Sequence, residues 1–174
     1  MSGYGEKPFG INDIKLTPLP SGTQVDLPNE RTLSFTERLV SGELRGSGKT
    51  VAVVSEVDAV EFDLEAGGIS LEAYALMSGR TLTSSGTTPN LVNTMNADGA
   101  TRYPYFKIYG KSLGDGDDDV HVKLYKCKLT EGLQGSLQDG EFFVTQCSGI
   151  CIDDGTNGIY DFIQHETATT LPAT

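Results

Sequence analysis

The clearest pattern in the chain is a two-residue alternation that begins at Arg31. Leu33, Phe35 and Leu39 fall on one side and Thr32, Ser34, Thr36 and Arg38 on the other, as in a half-buried strand, with Glu37 the one charged residue on the apolar side. A Gly-rich polar stretch, 41–49, follows. From Thr50 to Glu65 the chain is Val-rich, with alternation resuming at Val60, Phe62 and Leu64. This pattern predicts two long strands flanking a flexible hairpin loop. Upstream, Pro18, Pro20 and Pro28 interrupt short apolar stretches, which predicts an edge strand or extended N-terminal arm within 1–28, because Pro cannot donate to a central ladder.

The period changes between Ile69 and Gly79. Ser70 stands where an N-cap belongs, good helix formers follow, and Gly79 sits at the position of a C′ glycine. Leu71, Tyr74 and Ala75 share a face at i, i+3, i+4, so the sequence predicts about two turns of helix plugging one end or flank of a sheet. Residues 83–99 read as a loop with a short strand at Leu91–Met95. Strands are predicted again at Tyr103–Leu113, Val120–Leu129, Glu141–Ile152 and Gly158–His165, and 166–174 reads as an unpatterned tail. No repeat, linker or shift of composition divides the 174 residues, so one domain is expected.

Composition supports a β-dominated reading: 21 Gly, no Trp and 37 % hydrophobic residues are lean and turn-rich for a helical bundle. Lys and Arg number 13 against 24 Asp and Glu, giving a net charge of −11 and a pI near 4.5. That balance argues against tight nucleic-acid binding, which needs cations facing phosphates. No apolar run is long enough to span a bilayer and the N-terminus lacks a leader pattern, so a soluble protein on the cytosolic side, with no membrane segment, is expected. Cys127, Cys147 and Cys151 read as buried free thiols of a reducing compartment, with folding independent of disulfide and metal.

Candidate chemistry is sparse. Gly46-Ser-Gly48-Lys49-Thr50 imitates a phosphate loop, but Glu43 stands where the first Gly is required and a Val-rich strand follows instead of a helix. Asp115, Asp117 and Asp119 open like a calcium loop, yet Val120 and Lys126 occupy the positions that demand Gly and Glu. Cys147 and Cys151 with Cys127, His121 or His165 lack the paired short spacings of structural zinc. Neither His belongs to a nucleophile motif. No catalytic, cofactor or metal residue is therefore assigned, and no enzyme is expected.

What stands out is an acidic stripe. Glu56, Asp58, Glu61, Asp63 and Glu65 interleave with Val57, Val60, Phe62 and Leu64, and no basic residue occurs between Lys49 and Arg80. Period two puts the last three acids on one face, where like charges repel unless the face is well hydrated or has a task. From Leu129 to the end there are seven acids and no Lys or Arg.

The layout of extended N-terminal segment, long hairpin Arg31–Glu65 with a polar tip, single short helix and run of strands, opened by Leu16-Thr-Pro-Leu-Pro-Ser-Gly-Thr-Gln-Val-Asp-Leu27, resembles the major tail tube proteins of long-tailed bacteriophages, chiefly the non-contractile kind. The resemblance implies a mainly β fold, a β-sandwich or partial barrel with one short α-helix. It further implies hexameric rings with a continuous inner β-barrel, stacked into a hollow tube that conducts genomic DNA. A ring of about 24 tilted strands would have a bore of roughly 40 Å, wider than a DNA duplex. In that setting Glu56, Asp58, Glu61, Asp63 and Glu65 would line the lumen and avoid DNA sticking. Gly42, Glu43, Leu44, Arg45, Gly46, Ser47, Gly48 and Lys49 would form an inter-ring loop. The implied partners are further copies of the chain, a tape measure protein, a tail terminator and duplex DNA in non-specific transit; the implied location is the virion tail, assembled in the host cytoplasm. A tube of a contractile tail or type VI-like secretion apparatus, and a monomeric β-sandwich binding or adhesion module, are the alternatives.

Overall fold

The computed structural model describes residues 7–68, 70–114, 116 and 118–172. Ile69, Asp115 and Asp117, and the ends of the expected arm (1–6) and tail (173–174), lie outside the described residues. In chain order the elements are β1 (Phe9–Pro18), β2 (Val25–Asp26), β3 (Glu30–Gly46), β4 (Lys49–Gly67), α1 (Leu71–Ser78), β5 (Leu82–Ser85), β6 (Val92–Met95), β7 (Phe106–Leu113), β8 (Asp119–Leu129), β9 (Gln134–Gly135), β10 (Val144–Cys151) and β11 (Tyr160–His165). The fold is mainly β with one short helix.

The large sheet runs β2-β1-β7-β8-β10-β4-β3, all antiparallel, while β5 and β6 form a separate hairpin. It forks at β8: residues near the start of that strand pair with β11, and Cys127–Leu129 pair with β10. The sheet thereby bends over on itself without closing. Its inner face carries Ile14, Leu16, Val60, Phe62, Leu64, Phe106, Ile108 and Leu124, all buried, with Phe62 and Phe106 edge to face at 6.2 Å. Two glycines permit the close approach. A Cβ on Gly149 would come within 2.4 Å of the Lys128 carbonyl and 2.6 Å of the Phe62 ring, and one on Gly110 within 2.7 Å of Leu33. The Glu37 carboxylate on the apolar side is accounted for by the Tyr160 hydroxyl, which donates to Oε1 at 2.6 Å.

The helix is capped as its sequence predicts: the Ser70 hydroxyl accepts from Ala73 N–H, and Gly79, at φ 70°, donates to the Ala75 carbonyl. Its buried face is Ala73, Tyr74, Met77 and Ser78, rotated from the expected Leu71, Tyr74 and Ala75. The rotation follows from Tyr74, whose hydroxyl donates to Thr145 on β10, and from Met77, whose sulfur lies 3.9 Å from the Cys147 thiol. Val60, Phe62 and Leu64 belong to the same core as Tyr74.

The cysteines depart from the expectation of three free thiols. Cys127 and Cys151 stand directly opposite one another on β8 and β10, with Cα atoms 4.0 Å apart, and are joined by a disulfide. Only Cys147 is a free thiol, buried, its pKa pushed up to about 12 by desolvation and by the Asp63 charge. The described part of the tail, 166–172, carries no helix or strand and is held to the body: Leu171 is buried, Gln24 donates to the Pro172 carbonyl, and Thr169 N–H donates to Asp119 at 2.6 Å.

Candidate functional site

The β3–β4 hairpin has two parts that differ in environment. Near its base, from Glu30 to Arg38 and Ala59 to Gly67, the inner face packs on the core, with Val60, Phe62 and Leu64 buried and Leu33 and Phe35 half-buried. Beyond the irregularity where Arg38 pairs with Ala59 but Leu39 with Val57, so that Asp58 is an extra residue on β4, the ribbon leaves the body. Segment 41–49, expected as a flexible loop, is ladder up to the pair Gly46–Lys49. The turn is only Ser47-Gly48, both at positive φ (53° and 79°), which is the geometry a two-residue hairpin demands. Gly42, Glu43, Leu44, Arg45 and Gly46 are thus strand residues, and the arm projects about 25 Å past Leu39.

This arm is apolar on both faces. In register, Leu39, Val53 and Val57 lie on one face, and Val40, Leu44 and Val54 on the other. All are exposed: Val40 by 60 %, Leu44 by 64 %, Val51 by 67 %, Val53 by 59 % and Val54 by 61 %. A two-stranded ribbon standing alone in water is marginal, and exposed Val and Leu clustered on both of its faces mark a surface for contact with another molecule.

The acidic stripe lies at the base of the arm and along the outer face of β4. Glu56, Asp58, Glu61 and Asp63 are exposed and Glu65 is half-buried. The stripe is not unrelieved, as expected from the lack of neighbouring cations in sequence, because the register brings cations across from β3. Arg38 Nε donates to Asp58 Oδ2 at 3.0 Å and Nη1 lies 3.9 Å from Glu61, so these two acids share one guanidinium on one face. Arg31 pairs with Glu65 at 3.1 Å. Asp63 accepts from the Ser148 hydroxyl at 2.5 Å and from that of Ser34 at 3.5 Å. Five carboxylates against two guanidinium groups still leave an anionic surface. It is continued by Gln146, Ser148 and Glu131 along a polar trough beside β10.

Among the described residues, no helix is long and apolar enough to cross a membrane. No family model and no curated protein matches the chain. Among solved structures the chain is similar to one in the cryo-EM structure of the anti-feeding prophage baseplate, 6-fold symmetrised, at 12 % identity and a TM-score of 0.44, over 94 % of this chain and 97 % of that one.

Proposed function

We propose that the protein is a tail tube subunit of the phage type, most closely of the non-contractile kind, whose copies form rings that stack into a hollow tube. The observation that carries this reading is the β3–β4 arm. A ribbon with Val and Leu on both faces and no covering element among the described residues finds cover between two neighbouring surfaces, which stacked copies of the same subunit supply. The layout of arm, single helix and strands, which resembles tail tube proteins, supports the same assignment.

The acidic stripe supplies the second half of the proposal, a channel wall. A conduit must not bind what it conducts, and a wall of carboxylates denies DNA the counterion release that Lys and Arg would offer at each phosphate. Screening confines the repulsion to about 8–10 Å from the wall, enough to keep duplex DNA off the surface without barring its passage. In this reading Glu56, Asp58, Glu61, Asp63 and Glu65 face the lumen, and the arm tip, 42–49, engages the next ring. Further partners are a tape measure protein and a tail terminator, and the protein resides in the virion tail. Shortening the arm by deleting Leu44–Ser47 tests the proposal: the variant should remain folded and soluble yet make no tubes, and tubes of normal length would refute the role of the arm.

A further inference from the structure

Away from the arm, β8 and β11 pair with His165 opposite Asp119 and Ile163 opposite His121. Alternation puts Asp119 and His121 on one face of β8, and the register brings His165 beside Asp119 on that face. One donor atom from each of the three lies within 4.8 Å of the others. The two imidazoles meet edge to face, 4.6 Å between centroids. His121 Nε2 is hydrogen-bonded to Asp119 Oδ2 at 3.1 Å. Two donors bound to one ion at about 2.1 Å stand about 3.0–3.4 Å apart, so an ion can take the place of the shared proton with little movement of either side chain.

A second, independent observation lies in Asp119 itself. The residue is 0 % exposed, and its Oδ1 is buried without a hydrogen-bond partner. All its bonds fall on Oδ2, from Thr169 N–H at 2.6 Å, Lys111 Nζ at 3.0 Å and His121. A buried carboxylate oxygen left without a donor costs free energy unless a ligand or water reaches it.

The geometry points to a divalent transition-metal site, of the Zn²⁺ class, formed by Asp119, His121 and His165. Two imidazoles and one carboxylate form a borderline donor set, suited to Zn²⁺, Co²⁺ or Ni²⁺ and unlike the all-oxygen cages of Ca²⁺ and Mg²⁺. Three protein ligands leave a further coordination position for water. In the metal-free chain the Lys111 ammonium balances Asp119. Its long, flexible stem lets it withdraw when a dication takes over that role. The ion would also sit against the tail, since Thr169 N–H donates to Asp119. His165, the partly exposed member at the end of β11, is the ligand by which the ion enters.

The test is equilibrium dialysis of the full chain against Zn²⁺ alone with elemental analysis, paralleled by a Co²⁺ titration followed by visible absorption. The parent chain should bind one ion per chain and show the Co²⁺ ligand-field band, which Zn²⁺ abolishes. His165→Ala, at a position exposed enough to keep the fold by circular dichroism, should weaken binding by about tenfold or more and lose the band. Asp119→Asn should behave likewise where it folds. No stoichiometric binding by the parent, or equal binding by His165→Ala, overturns the assignment.

Discussion

Replacing Val51, Val53 and Val54 with Thr probes the arm without disturbing anything else. Thr keeps the β-branched shape and strand preference and exchanges one methyl for a hydroxyl. Val53 and Val54 are consecutive and so sample both faces, and all three side chains are about three-fifths exposed or more in the free subunit. Full burial of a Val side chain is worth about 1.5–3 kcal/mol. The fraction still available to a neighbour is therefore about 1–2 kcal/mol per site. A buried hydroxyl without a partner costs about as much again. Three sites together should weaken each arm contact by about 3 kcal/mol or more, over a hundredfold in the association constant. The isolated subunit should hardly notice, within about 0.5 kcal/mol, because these positions touch no core. Sedimentation velocity across a concentration series reads the first number and urea denaturation of the monomer the second. Assembly at the parent's concentration would show that the arm is not the contact, and a monomer that unfolds would show that the valines serve the fold.

Further outcomes follow from the same structure. Reducing the Cys127–Cys151 bridge, or replacing both with Ala, reopens a loop of sequence separation 24 and should lower stability by about 3 kcal/mol, read as a shift in denaturation midpoint. The Asp154 carboxyl, held down to about 2 by bonds from the Asn157 backbone and side chain and from Thr156 N–H, should titrate there by NMR. Because the folded value lies below the unfolded one, near 3.8, its contribution is complete above the unfolded value and is lost as pH falls through about 2. Charge reversal of Glu56 and Glu61 to Lys should leave assembly intact but confer duplex DNA binding that weakens steeply with salt; tubes without DNA affinity at low salt would remove these residues from the channel wall.

The alternation from Leu33 to Leu64 and the capping residues Ser70 and Gly79 were legible because each is a local relation, readable from neighbours in the chain. What escaped is what register decides. Arg38 reaches Asp58 and Glu61, and Arg31 reaches Glu65, only because β3 lies beside β4, so an anionic run that is unrelieved in sequence is partly paired in space. Cys127 and Cys151 meet across β8 and β10, and Asp119 meets His165 across β8 and β11, encounters that no spacing in the sequence encodes. The tip 42–46 misled through composition. Its Gly and Ser residues suggest a loop, but the long ladder and a two-residue turn hold them as strand. The anchoring of the tail is likewise invisible in the sequence, since Leu171 and Thr169 have no periodicity and are fixed by tertiary contacts alone.

Whether this chain builds a hollow tube from copies of itself is decided by negative-stain electron microscopy of the purified protein across a concentration series, with and without preformed fragments as seeds. Rings and stacked tubes with an open central channel should form. A particle that stays at the 18.6 kDa monomer at every concentration, seeded or not, would contradict it.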